Sequence, residues 1–201
     1  MAVDARYWPS GRQYLTGDDS LKATAAKRAA MNTFLAEVEG RAFVIARAAL
    51  RNEADALDVI QETMLRLVRK YADRASDEWR PLFYRILGNC IIDQQRKSNV
   101  RRRVMAVQPA GDSETDPVEQ APGHPGAEPD RQAMADETLH SLHAAVQTLP
   151  ARQQQAFLLR VAEDMNVTQT ATVMECSTGS VKTHYSRAVH TLRKILGDHW
   201  S

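Results

Sequence analysis

Residues Ser177–Leu196, STGSVKTHYSRAVHTLRKIL, decide the fold of the C-terminal part of this chain. Ser177 is a good helix N-cap. The apolar side chains that follow recur at steps of three and four, which places them on one helix face: Val181, Tyr185, Ala188, Leu192 and Ile195. The opposite face carries long side chains that donate hydrogen bonds, next to short hydroxyl side chains. Such side chains suit phosphates and base edges in a DNA major groove. Its members are Lys182, Thr183, His184, Ser186 and Arg187.

A shorter helix is predicted directly upstream. Asn166 is a second N-cap candidate, and Gln169 three residues later completes the capping-box pattern. The helix should end at Met174, where the three residues ECS form a tight connection to the next helix. Two helices joined in this way predict a helix-turn-helix. Two more helices should precede them, with core positions at Leu139, Leu142, Val146, Leu149, Phe157, Leu158 and Val161.

The N-terminal part has its own helical pattern, beginning at Met31. One apolar stripe consists of Phe34, Val38, Ala42, Ile45 and Ala49. Asn52 caps a second helix, whose predicted buried stripe consists of Leu57, Ile60, Met64, Leu67 and Tyr71. The other side of this helix frames Leu65 with charges, which is typical of a polar-rimmed contact with another protein. On spacing alone, a solvated face with one ordinary exposed leucine is the simpler interpretation.

A loop over Tyr71–Trp79 should separate that helix from a third, which begins near Trp79 or Pro81 and runs to Arg103. Its outward stripe consists of Arg85, Asn89, Ile92 and Arg96. Trp79, Phe83 and Tyr84 lie at its head. Aromatic rings beside a basic face suit single-stranded nucleic acid, because each ring can stack on a base for about 1–3 kcal/mol. Core packing explains some of these rings equally well.

Charge and proline content divide the chain. The net charge is +1, yet residues 79–104 carry seven Lys/Arg and one acid, whereas residues 105–137 carry eight acids and one arginine. Five prolines fall between Gln108 and Asp130. The predicted fold is therefore all-α, with two small helical domains joined by a flexible acidic linker. The expected ranges are 1–30 for a flexible N-terminal extension, 31–104 for the first domain, 105–132 for the linker and 133–201 for the helix-turn-helix domain.

Several classes of protein are disfavoured. The two cysteines, Cys90 and Cys176, have no CxxC spacing and should be reduced thiols. No apolar run could cross a bilayer, and no signal-peptide core begins the chain, so a cytoplasmic protein without membrane insertion is expected. No phosphate loop, HExxH motif or nucleophile elbow occurs, which argues against an enzyme. His140 and His143 lie one turn apart without further ligands, so neither a metal nor a cofactor is expected.

Two blocks of the sequence resemble extracytoplasmic-function (ECF) sigma factors, the small sigma subunits of bacterial RNA polymerase. ALRNEADALDVIQETMLRLVRKY followed by PLFYRILGNCIIDQQRKSNVRRR resembles their second conserved region. LHAAVQTLPARQQQAFLLRVAEDMNVTQTATVMECSTGSVKTHYSRAVHTLRKIL resembles their fourth. The resemblance covers about residues 34–104 and 139–196, in the family's order.

The resemblance implies a role for each candidate surface. Core RNA polymerase would bind Asp55, Asp58, Gln61, Glu62, Leu65 and Arg69. The minus-ten element, including the melted non-template strand, would be read by Trp79, Tyr84, Arg85, Asn89, Asp93 and Arg96. The duplex minus-thirty-five element would be read by Lys182, Thr183, His184, Ser186 and Arg187. An anti-sigma factor is a further partner that the resemblance implies.

The sequence also departs from the family pattern. Gln169 stands where the family usually has glutamate, and Thr170 where an aliphatic residue packs. Glu175 replaces the customary glycine before the recognition helix. Two alternatives remain open: a stand-alone helix-turn-helix regulator that binds duplex DNA without polymerase, and a protein-interaction module whose basic helix meets an acidic partner.

Overall fold

The computed structural model describes residues 17–107 and 129–197. These ranges contain seven α-helices: α1 Gly17–Ala49, α2 Glu53–Tyr71, α3 Ser76–Val107, α4 Pro129–Thr148, α5 Ala151–Val161, α6 Val167–Met174 and α7 Thr178–Leu196. The all-α prediction is confirmed. Residues 108–128, most of the predicted acidic linker, lie outside the described part of the chain, as do residues 1–16. Among the helices that the structure describes, none is long and apolar enough to span a membrane.

The N-terminal half is a packed unit of α1, α2 and α3. Its core contains Val38 and Ala42 of α1, Leu67 of α2, and Phe83 and Leu87 of α3, each no more than 1% exposed. The helix α2 begins as predicted, because the Asn52 side chain accepts hydrogen bonds from the backbone N–H groups of Ala54 and Asp55. That cap satisfies donors that would otherwise have no partner in the first turn.

The helix α1 begins inside the predicted extension over residues 1–30, whose Ala/Lys-rich end toward Ala30 is compatible with a helix. The helix begins at Gly17 and runs without interruption into the core. Among the side chains that the structure describes, Met31 is the first to be buried, at 4% exposed. The boundary at residue 31 stays a prediction about where the folding unit begins.

The predicted start of α3 is wrong by about one turn. The helix begins at Ser76, not near Trp79 or Pro81, and the loop before it shortens to residues 72–75. Asp77 and Glu78 lie in the first turn, where negative charge favours the exposed N–H groups and the helix dipole. The Trp79 Nε1–H then donates to the Tyr71 carbonyl at 3.2 Å, which ties α3 to the end of α2.

Four residues predicted to be core are exposed instead. Leu57 is 47% exposed, and the buried stripe of α2 is Ala56, Val59, Ile60, Thr63 and Leu67. Ile60 and Leu67 belong to both stripes, but Ala56 is buried in place of Leu57, so the buried stripe is rotated by about 60° from the one predicted. Of the other three exposed residues, Val161 and Ile195 lie at the ends of α5 and α7, where the apolar period continues beyond the covering helices, whereas Leu139 lies in the middle of α4.

The C-terminal half packs α4, α5, α6 and α7 around Val146, Phe157, Met174, Val181 and Leu192. The two halves touch each other, chiefly where α3 meets α6 and where α1 meets α4 and α5. Side chains also cross between them by hydrogen bonding to the other half. The Gln147 amide donates to the Leu50 carbonyl at 3.1 Å, and the Gln95 amide donates to Gln154 Oε1 at 2.7 Å.

Candidate nucleic-acid and protein interfaces

The connection between α6 and α7 has the local geometry that the sequence predicts. Asn166 Oδ1 accepts from the Gln169 N–H at 2.9 Å, and Gln169 Oε1 accepts from the Asn166 N–H at 2.8 Å, so the capping box is confirmed. Glu175 ends α6 in the left-handed conformation, with φ of 51°. Ser177 Oγ then caps α7 by accepting from the Ser180 N–H at 3.1 Å. The helix-turn-helix is therefore present as a tight two-helix unit.

The inner face of α7 holds it to the rest of the C-terminal half. Val181, Ala188 and Leu192 are fully buried. The ring of Tyr185 stacks on Phe157 with centroids 6.3 Å apart, and the Arg160 guanidinium lies 5.7 Å from the Tyr185 centroid on the ring face. Because these contacts fix the rotation of the helix, its opposite face points to solvent.

The predicted duplex-reading face of α7 is open. Lys182, Thr183, Ser186 and Arg187 are exposed, and His184 is half-buried. Thr183 Oγ1 donates to the Gly179 carbonyl at 3.0 Å, which leaves its oxygen able to accept. The helix contains no acidic residue, so its cations are uncompensated along its own length. Such a surface favours a phosphate backbone.

The outer face of α2 is partly apolar and exposed. Leu65 is 48% exposed, as predicted, and it has two apolar neighbours that sequence reasoning missed, Leu57 at 47% and Val68 at 41%. At 100° per residue these three positions fall within one face. The charged and polar members of the predicted set border it and are exposed: Asp58, Gln61, Glu62 and Arg69. The signal for Val68 was its position three residues after Leu65.

A groove between α2 and α3 brings two predicted sets together. Asp58, Glu62 and Leu65 line one side of it. Asp93 and Arg96 of α3 line the other, with their charged groups 3.8 Å apart. Asp55 is half-buried at the end of the same surface, where its carboxylate accepts from the Gln94 amide at 2.7 Å. Cys90 lies at the base of the groove, and burial raises the pKa of its thiol.

The predicted minus-ten residues fall into two groups in space. Asn89, Asp93 and Arg96 are exposed. Trp79 and Tyr84 are 2% and 1% exposed, because the Trp79 ring packs 5.8 Å from Phe34 and the Tyr84 ring packs edge-on to Phe83 at 5.3 Å. Arg85 is half-buried against the C-terminal half. The assignment of all six to DNA stays a prediction; in this conformation neither Trp79 nor Tyr84 offers a ring face to a base.

The comparisons with known proteins agree with this arrangement. The family model described as Sigma-70 region 2 matches residues 35–101, and the model described as Sigma-70, region 4 matches residues 139–192. Together they cover more than half of the chain. The chain belongs to the sigma-70 family. Residues 35–101 are therefore called region 2 below, and residues 139–192 region 4.

Two individual proteins are similar to this family member. The ECF RNA polymerase sigma factor BldN of Streptomyces coelicolor is 30% identical over 156 residues, which are 73% of this chain and 52% of BldN. The chain thus spans about half the length of that relative. The sigma factor RpoE of Bartonella quintana, solved in complex with the anti-sigma factor NepR, matches with a TM-score of 0.61. That match covers 83% of this chain and 96% of RpoE at 23% identity, so it concerns the fold.

Two ion-pair systems join region 2 to region 4, and sequence reasoning missed both. Arg80 Nη1 lies 3.0 Å from Glu163 Oε2, while Arg80 Nη2 lies 2.9 Å from Glu37 Oε1. Arg85 Nη1 lies 3.0 Å from Glu175 Oε1, and its Nη2 donates to the Thr172 carbonyl at 3.3 Å. No signal in the sequence could pair residues as far apart as 80 and 163.

The Glu163 carboxylate is shielded from solvent. The Glu163 side chain has no exposed surface, whereas that of Arg80 is 39% exposed. Tyr84 lies next to it, and burial raises the pKa of the Tyr84 phenol, with the Glu163 carboxylate raising it further. Removing the cation from a buried ion pair typically costs about 3–5 kcal/mol, because the remaining charge stays out of water. The Arg80–Glu163 pair is therefore the stronger of the two links.

The part of the chain that the structure describes contains no group of three or more His, Cys, Asp or Glu placed to hold a metal ion. His143, one of the two histidines noted in the sequence, lies partly buried on α4. Burial lowers the pKa of its imidazole, and the nearby charge of Arg47 lowers it further. The candidate sites described above are surfaces formed by α2, α3 and α7.

Proposed function

We propose that this protein is a dissociable sigma subunit that binds core RNA polymerase, recognises promoter DNA and promotes strand opening in the cytoplasm. The observation that carries the proposal is the presence, in one chain, of a region 2 with an exposed apolar face on α2 and a region 4 with an open, uncompensated basic face on α7. If the protein were a regulator that binds duplex DNA without polymerase, the exposed apolar face of α2 would have no binding partner.

The mechanism assigns one task to each helix. The α2 face, with Leu57, Leu65 and Val68 inside a charged rim, binds the polymerase, because a dry apolar centre with a polar rim is how such interfaces gain affinity and orientation. The α7 face binds the minus-thirty-five duplex through Lys182 and Arg187, which neutralise phosphate or donate to base edges.

In this proposal, α3 is the helix that promotes strand opening. Unstacking a base costs a few kcal/mol, and stacking on aromatic side chains together with contacts to a flipped base offsets that cost. Asn89, Asp93 and Arg96 are already open to DNA. Trp79, Tyr84 and Arg85 contribute only when their surroundings change, since they are buried or paired here. The protein supplies binding and no covalent chemistry of its own. An anti-sigma factor is the expected regulatory partner.

Run-off transcription with purified core polymerase tests the proposal. We expect promoter-specific initiation that requires both the core enzyme and this protein. Binding of promoter duplex at full affinity without the core, and no transcription with it, would favour the stand-alone regulator instead.

Leu65→Glu tests the polymerase surface itself. A charge placed at the centre of the α2 face should abolish detectable core binding, while the helix content stays unchanged because Leu65 is exposed. Binding is measured by analytical ultracentrifugation with core polymerase. Val44→Glu is the matched control, since Val44 is 52% exposed on α1 and lies outside this face. Wild-type affinity in Leu65→Glu, or an equal loss in the control, would remove α2 from the interface.

A further inference from the structure

The surface that region 4 covers is one stripe of α3. Its members lie at steps of three and four and all approach the C-terminal half: Arg80, Tyr84, Gly88, Ile92 and Gln95. At Gly88, an added Cβ would lie 2.2 Å from the Gln155 amide nitrogen, so the Gln155 side chain occupies the space over the helix. The contact between the halves is therefore close, and a side chain at position 88 would have to displace Gln155.

Glu175 departs from local preference in a way that serves this contact. It adopts φ of 51°, a left-handed conformation that glycine takes freely and that other residues rarely adopt. Its carboxylate reaches Arg85 of α3 at 3.0 Å. A glycine here would remove the backbone strain, but it would also remove the ion pair with Arg85. Glu175 therefore combines a strained helix C-cap with a contact between the two halves.

Glu163 makes the second link. Its Oε2 lies 3.0 Å from Arg80 Nη1, and its side chain has no exposed surface. The Tyr84 phenol lies beside it, and burial together with the Glu163 carboxylate raises the pKa of that phenol. A carboxylate buried in this way depends on its cation, because an unpaired charge out of water is costly.

We propose that region 4 holds the free protein in a closed state, in which Glu175 occupies Arg85, a residue of the predicted minus-ten surface, and Glu163 anchors the same contact through Arg80. These four residues, Arg80, Arg85, Glu163 and Glu175, form an interdomain latch. The Glu175 carboxylate takes the place of the nucleic acid at Arg85, so full promoter engagement requires the latch to open. The apparent affinity for promoter DNA is then the intrinsic affinity of the open state multiplied by the fraction of molecules that are open. This inference rests on the proposed function for its consequence, but the latch itself can be tested without polymerase.

Small-angle X-ray scattering of the full chain measures whether the halves separate. Arg80→Leu leaves Glu163 without its cation in the closed state, so we expect the radius of gyration to rise by several ångström. Arg80→Leu/Glu163→Leu should return to the wild-type value, because an apolar pair tolerates burial. Lys27→Leu is the matched control: Lys27 pairs with Asp73 within the N-terminal half, and its loss should leave the radius unchanged.

The exposed half of the latch provides an independent pair of variants in case Arg80→Leu unfolds. Glu175→Arg places two arginines against each other and should open the chain, and Arg85→Glu/Glu175→Arg should close it again. Thermal unfolding followed by circular dichroism verifies that each variant is folded. A wild-type radius in both Arg80→Leu and Glu175→Arg overturns the latch. Failure of run-off transcription with an intact scattering response would instead overturn the proposed function alone.

Discussion

The helices α3 and α7 were both predicted to read DNA, but their predicted DNA-reading faces are covered to different extents in the structure. The helix α7 is packed on one side, and its predicted reading face is open, with Lys182 and Arg187 exposed. The helix α3 is packed against α1 and α2 on one side and against region 4 on another, which leaves Asn89, Asp93 and Arg96 uncovered. A helix that is packed on one side only, as α7 is against α4, α5 and α6, displays the amphipathic stripe that its sequence encodes. A helix that is packed on two sides buries residues whose partners lie far away along the chain.

The largest expected effect tests the burial of the α3 aromatics. Phe83→Ala should lower the free energy of unfolding by about 3–5 kcal/mol, because the ring is fully buried and its removal leaves a cavity. Ile195→Ala in α7 should change it by no more than about 0.5 kcal/mol, since Ile195 is 50% exposed. Urea denaturation followed by circular dichroism measures both. Equal losses would contradict the burial of Phe83 or the exposure of Ile195.

The next effect concerns the open face of α7. Arg187→Ala should weaken binding to promoter DNA by about 1–3 kcal/mol if the guanidinium contacts a base edge. Arg193→Ala removes the same charge from the same helix outside the predicted face and should cost less. Footprinting of the polymerase complex on the upstream promoter element reads out the difference. Unchanged upstream protection in Arg187→Ala would count against the assignment of this face to the minus-thirty-five element.

The smallest effect concerns how each helix is started. Ser177→Ala removes the side chain that caps α7 and should cost about 1 kcal/mol of stability. Ser76→Ala at the exposed first residue of α3 should cost less than about 0.5 kcal/mol, since that helix is held by packing on two sides. Thermal unfolding compares the two variants. A larger loss from Ser76→Ala would show that α3 depends on its first turn more than on its neighbours.

Much of the local structure followed from the sequence because its causes are local. The caps at Asn52, Asn166 and Ser177 were predicted from side chains that bond within three residues, and all three are present. The predicted start of α3 at Trp79 or Pro81 is too late, because the acidic residues Asp77 and Glu78 already lie in its first turn. Val68, the exposed residue of the α2 face that sequence reasoning missed, lies on the same helix as Leu65. Its exposure depends on which parts of α2 are covered by α1 and α3, and this is a property of the tertiary structure.

The sequence by itself determined the helices, their caps, the helix-turn-helix and the exposed basic face of α7. These features depend on periodicity and on hydrogen bonds between near neighbours, which an amino-acid pattern carries directly. Only the tertiary structure decided that Trp79 and Tyr84 are buried and that Arg80 and Arg85 face Glu163 and Glu175. Those contacts join residues 83 or more positions apart, and their formation depends on how two separately patterned halves pack against each other.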